Sequence, residues 1–276
     1  SVIQYSDKLI LAHYTNIQEL GYYAAGMSIG GTFLLLSNSI GTIFFPLFSK
    51  LISEKNWDMV NRKNSIFQTF NALFILPFIA LVIIISEPLI LTFLGEEYST
   101  SVIPFKIIVA STYIVLVGMP YGNIIIGMGK FYINVWINTA HLVIFLLSVV
   151  LFVSPKYLDL GAAGLALNLM ISNIFKNIVY IIVSNRIGQL KYDKSNIKRI
   201  VIVILVGFVF YFLSMRIQCI NLWWIYLIPF FLIVTYLLLY IFNLLTKKHI
   251  AILKDTVNLN KTAKYVSSEL NRDKND

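Results

Sequence analysis

Apolar runs close to twenty residues long recur along this chain, and they fix what it can fold into. A helix needs about 20 apolar residues to cross a hydrocarbon core of about 30 Å. "VIVILVGFVFYFLSM" and "WWIYLIPFFLIVTYLLLYIF" are two such runs. Hydrophobic residues make up 58% of the 276 residues and charged residues 13%, and the mean hydropathy is +0.78. A soluble domain of this length could not hydrate that surface. The sequence therefore predicts an all-α polytopic membrane protein of about eight spans, near 1–14, 22–47, 66–91, 102–127, 131–153, 161–185, 199–216 and 222–245. The run at 22–47 is long enough to tilt or to extend beyond the membrane. The opening SVIQYSDK lacks Met and a signal-peptide pattern, so the first span is read as truncated and the chain as a fragment.

Lys and Arg alternate between the connections. The second carries Lys50, Lys55, Arg62 and Lys63, and the sixth carries Arg186, Lys191, Lys194, Lys198 and Arg199. "NIQELG" and "GEEYSTS" carry none, and the fifth connection has only Lys156. By the positive-inside rule the even-numbered connections and the C-terminus are cytoplasmic. The net charge of +9 is thus that of an oriented membrane protein, and nucleic acid is not an expected partner. The lone Cys219 excludes an internal disulfide and a multi-cysteine metal site. The sequence implies no cofactor. Residues 53–65 read as a short amphipathic or loop helix with Trp57 at the interface, and the tail from 247 as a solvated, basic end.

Small and polar residues fall on helical stripes inside the spans. Gly26, Gly30, Ser37 and Gly41 share one face, a pattern that lets backbones approach. Asn134, Asn138, His141 and Ser148 share a face of the fifth span. Such a face meets other helices, through hydrogen bonds, or a wet cavity. In the sixth span Gly164, Asn168, Ser172 and Lys176 recur every four residues. Lys176 lies ten residues before Arg186, about 15 Å from the cytoplasmic end, where snorkelling fits poorly. Two accounts fit it: an anion held in a polar lumen, or an ion pair with Asp7. Asp7 and Lys8 fit a local pair, a proton site or part of the cavity. Lys106 is one turn into its helix and can snorkel outward. Pro77 and Pro120 predict kinks. The last two spans lack a polar stripe and read as peripheral and lipid-facing.

"YSDKLILAHYTNIQELGYYAAGMSIG" followed by "IGTIFFPLFSKL" resembles the opening of the second half of polysaccharide and O-antigen flippases, in the multidrug/oligosaccharidyl-lipid/polysaccharide exporter superfamily. "EPLILTFLGEEYSTSVIPFKIIV" resembles that family's outer loop, and "IIIGMGKFYINVWINTAHLVIFLLSVVLFVSPKYLDLGAAGLALNLMISN" its tight Gly-Lys turn and the entry to a later helix. The resemblance covers about residues 5–185. It implies a second six-helix lobe (1–185), two extra helices (186–246) and a cytoplasmic tail (247–276), with the first lobe missing from this chain. It also implies a cytoplasmic-membrane transporter for lipid-linked glycans, with a cationic cavity that Lys176 would suit. Competing classes are a drug or cation antiporter, for which only Asp7 is a deep carboxylate, and a glycan polymerase or glycosyltransferase. The enzyme reading finds only Glu19, Glu96, Glu97 and Asp159 in the outward connections and no acid/base constellation. A transporter, not an enzyme, is expected; an inactive fragment is the remaining alternative.

Overall fold

The computed structural model describes residues 9–188, 190, 194–217 and 223–245; the side chains of 34–43, 194, 217 and 223 fall outside that description. Among the described residues it is all helix. Residues 9–14 form α1. There follow α2 (Ile17–Ser53), α3 (Trp57–Phe70), α4 (Leu76–Ile84), α5 (Ser86–Leu94), α6 (Val102–Gly127), α7 (Phe131–Val153), α8 (Gly161–Gly188), α9 (Lys194–Ile217) and α10 (Trp223–Ile241). Six stretches are long and apolar enough to cross a membrane: Trp57–Ile84, Glu96–Gly127, Phe131–Val153, Gly161–Gly188, Ser195–Arg216 and Trp224–Ile241. The protein is an all-α polytopic membrane protein. Its α2 has 37 residues, about 55 Å of helix, so the run at 22–47 does extend beyond a membrane's thickness. The expected first span is described only from residue 9, and the tail lies outside the description.

Local chemistry explains where several helices stop. The ends of α2, α6 and α10 share one geometry, in which a residue with positive φ closes the last turn. At α6 it is Gly129 (φ 73), with Gly129 N–H donating to Ile126 O at 2.8 Å and Lys130 N–H to Ile125 O at 3.3 Å. At α10 it is Asn243 (φ 53), with Asn243 N–H on Tyr240 O at 2.9 Å and Leu244 N–H on Leu239 O at 2.9 Å. Asn is one of the few non-glycine residues suited to that conformation.

The third expected span differs from its sequence reading. Trp57–Ile84 runs as one membrane-length helical stretch, so residues 57–65 are continuous with the helix of the next span rather than a separate surface helix. Val60, Asn64 and Phe67 are buried along one face of α3. Their polar neighbours Asp58, Arg62 and Lys63 lower the local hydropathy and hide the helix from an apolar-run reading. Between α3 and α4 the chain widens into a π-helical segment, Asn71–Ile75. It sits just before Pro77, whose ring crowds the carbonyl four residues back and supplies no N–H. The helix then breaks at Ile85 (φ −92, ψ 13), so residues 86–91 belong to a separate α5.

Packing centres on α6, which lies against α2, α4 and α8, while α7 covers α8. Gly26 and Gly30 permit the α2–α6 approach: a Cβ on Gly26 would stand 3.2 Å from Phe105 N, and one on Gly30 2.8 Å from Ile108 Cγ2. Ser37 and Gly41, the other half of that stripe, lie outside the described side chains. The pair α9–α10 packs on α4 through Leu81, Ile84, Val206, Phe210, Leu227 and Phe231. Its outer faces are apolar and open, as at Phe208, Phe212 and Tyr226. One sequence expectation fails in detail. Arg199, counted among the loop cations, is only 4% exposed. It reaches Leu244 O (3.1 Å), Asn196 Oδ1 (2.5 Å) and Thr69 Oγ1 (3.3 Å). A guanidinium offers five donors in a planar fork, which lets one side chain tie α3, α9 and the end of α10 together.

Candidate functional site

Seven residues link α7 to α8, so the two helices run antiparallel. Their polar stripes meet in register. Near the start of α7, Tyr180 O–H donates to Asn134 Oδ1 at 2.6 Å, and Asn138 Nδ2 donates to Tyr180 Oη at 3.2 Å and to Asn134 O at 2.8 Å. About three turns further along, Ser148 O–H donates to Asn168 Oδ1 at 2.5 Å and Asn168 Nδ2 to Phe145 O at 3.0 Å. Between these clasps lie His141 on α7 and Lys176 on α8, within electrostatic reach of each other.

The other edge of α8 is pinned to α6. Asn173 Nδ2 donates to Ser111 Oγ at 3.1 Å, and Asn177 Nδ2 donates to Ile114 O. Asn177 lies so close over Gly118 that a Cβ there would collide with its amide. The helix carrying Lys176 is therefore held from both sides by side-chain amides, whose hydrogen bonds are made inside the protein rather than with water.

Against this background the predicted residues separate. Asn168 and Ser172 are fully buried; Ser172 bonds its own helix at Leu169 O (3.0 Å). Asn134 is half-buried and Asn138 exposed. His141 is 4% exposed, and its Nε2 is buried without a hydrogen-bond partner. Lys176 is half-buried near the middle of α8. Among the described residues it makes no hydrogen bond and no ion pair. Asp7 and Lys8 lie outside the described residues. Tyr180 was not anticipated from the sequence, although it continues the every-fourth-residue stripe one turn beyond Lys176. An aromatic at that spacing reads as packing unless its hydroxyl partner is known.

At the far end of α8, Glu19 accepts a hydrogen bond from Ala162 N–H at 2.7 Å. A carboxylate at a helix N-terminus meets free N–H groups and the positive end of the dipole. Glu19 is itself positioned by Asn16, whose Oδ1 accepts from Glu19 N–H at 2.9 Å. These groups border an open cleft of about 510 Å³ that also includes Asp159.

Residues 1–103 match the family described as polysaccharide biosynthesis protein. No curated protein and no solved structure matches the chain. The matched stretch runs from α1 to the first turn of α6, so His141 and Lys176 lie beyond it.

Proposed function

We propose that this chain, a membrane protein whose first 103 residues match polysaccharide biosynthesis proteins, forms one side of a flippase. It would move polyprenyl-(pyro)phosphate-linked oligosaccharide or polysaccharide precursors across the cytoplasmic membrane by alternating access. The observation that carries this reading is Lys176: a half-buried, mid-helix ammonium, unpartnered among the described residues, in a seam whose other polar groups are largely satisfied. A lysine facing lipid at that depth costs about 3 kcal/mol on insertion scales. Water or an anion in a lumen offsets that cost. A phosphate is a fitting partner because the ammonium donates three hydrogen bonds.

The other stripe residues then divide by role. Asn168 clasps α8 to α7 and so helps position Lys176, while Ser172 lies one turn before Lys176 and bonds its own helix. Asn134, Asn138 and Tyr180 form a polar patch at the end of α7 nearest Lys130, the end expected to face the cytoplasm, where a lipid-linked substrate would load. A first six-helix lobe, which the family resemblance implies, would supply the opposite wall.

The test is glycan export by the complete protein. Lys176→Ala should impair export at normal membrane levels, and Lys176→Arg should keep part of it because the charge persists. Wild-type export by Lys176→Ala removes the anion site. Loss of folded protein in Lys176→Ala, restored by adding Asp7→Asn, assigns Lys176 to a structural ion pair instead.

A further inference from the structure

A groove of about 470 Å³ lies between α4, α6 and α9, apart from the α7–α8 seam. Its walls include Ile79, Ile83, Ala110, Ile114, Ile204 and Phe208. Ile204 and Phe208 are exposed, so the groove opens on the lobe's outer face. One end is polar. Lys106 lies against α9, where its Nζ is 3.4 Å from Tyr211 Oη and 4.9 Å from the centre of the Tyr211 ring. Among the described residues Tyr211 is the only hydrogen-bond partner of this ammonium, which has two more donors to place.

Position along the helices gives the groove a direction. Lys106 is four residues into α6, about 6 Å from its start. The apolar wall continues from there to Ile114, about 12 Å deeper along the helix. One leaflet's hydrocarbon is about 15 Å thick. The groove thus runs along the membrane normal with a cation at the headgroup end and alkyl surface below it, the polarity of a single leaflet lipid. Gly207 lines the same groove; a Cβ there would meet Ala80 Cβ at 3.4 Å, so α9 seats directly on α4 at this point and α4 forms the floor of a groove walled by α6 and α9.

We infer that this groove binds an anionic phospholipid of the leaflet at the Lys106 end, with its phosphate on Lys106 and the Tyr211 hydroxyl and one acyl chain between α6 and α9, over α4. Anionic lipids are selected over zwitterionic ones because no carboxylate among the described residues neutralises Lys106. Occupancy would couple α9 to α4 and α6.

The experiment titrates the complete protein, in mild non-ionic detergent, with phosphatidylglycerol and phosphatidylcholine of identical acyl chains, followed by native mass spectrometry. Phosphatidylglycerol should bind about fivefold more tightly, the ratio equivalent to the ~1 kcal/mol that one membrane-surface lysine contributes toward an anionic lipid. Lys106→Gln should abolish the preference and Lys106→Arg keep it. Gly207→Leu, and separately Ala110→Leu, should weaken both lipids by filling the groove, with melting temperatures reporting that each variant is folded. Lys176→Ala should leave lipid binding unchanged, so this inference and the flippase reading fail separately. Equal affinity for the two lipids, a preference that survives Lys106→Gln, or wild-type binding by the folded groove variants overturns the inference. So does a co-purified isoprenoid phosphate that phosphatidylglycerol does not displace.

Discussion

Replacing Arg199 with Met should loosen the attachment of α9 and α10 to the rest of the protein. The substitution keeps a similar stem and removes the donors to Leu244 O, Asn196 Oδ1 and Thr69 Oγ1. Thr69 and Asn196 retain their own bond at 3.1 Å, so the group left exposed to loss is chiefly the Leu244 carbonyl. An orphaned buried acceptor costs about 1–3 kcal/mol, partly offset because a desolvated charge has also gone. A net loss of about 2 kcal/mol is expected. Arg199→Lys should be worse, near 3 kcal/mol: the charge stays buried while the planar fork that satisfied three acceptors is lost. Thermal unfolding of the detergent-purified protein, followed by size-exclusion chromatography, reads both. On a scale of roughly 2–4 °C per kcal/mol, Met should lower the midpoint by about 4–8 °C and Lys by more. A Lys variant as stable as wild type would refute the reasoning, because its ammonium would then have reached water and the site would not be a closed one.

Gly118→Ala should drive Asn177 off Ile114 O and cost about 1–3 kcal/mol, seen as a lower unfolding midpoint; an unchanged midpoint would mean α6 and α8 can separate at no cost. Glu19→Ala should raise hydrogen exchange in the first turn of α8 and cost about 1 kcal/mol, with Glu19→Gln less harmful because an acceptor remains. Single cysteines at Glu96 and Lys156 should label from the outer side and one at Lys63 from the inner side; labelling of 96 and 63 from the same side would overturn the expected topology.

Helix positions were legible where lipid imposes a length. Expected spans at 102–127 and 131–153 match α6 and α7, and 161–185 falls three residues short of α8, because a Gly turn and a Ser-Pro break mark their ends. Trp57–Ser65 was not legible as part of a span: its charges face outward on a helix that is buried on one side only. The polar stripes of α7 and α8 were each readable alone. Their mutual register was not, since it depends on how the 154–160 connection sets one helix along the other, and with it the distinction between Asn168, engaged by Ser148, and the unpartnered Lys176. Arg199 misled for a related reason. Its place at the edge of an apolar run is the same for a solvated cation and for a buried clasp.

The widened turn at Asn71–Ile75 acts as a phase spacer. One residue more than an α-helix needs shifts everything before it by about 100° around the axis relative to everything after it. Upstream, the buried residues are Val60, Asn64, Phe67, Gln68 and Thr69; downstream, Leu76, Pro77, Ile79, Leu81, Val82 and Ile84 are buried nearly all round the helix. Shortening the segment by one residue would restore regular α-geometry and leave the local composition almost untouched. It would also swing Asn64 and Gln68 toward lipid and carry Thr69 away from Arg199 and Asn196, so a local repair would misalign both the core face and the docking of the last two helices.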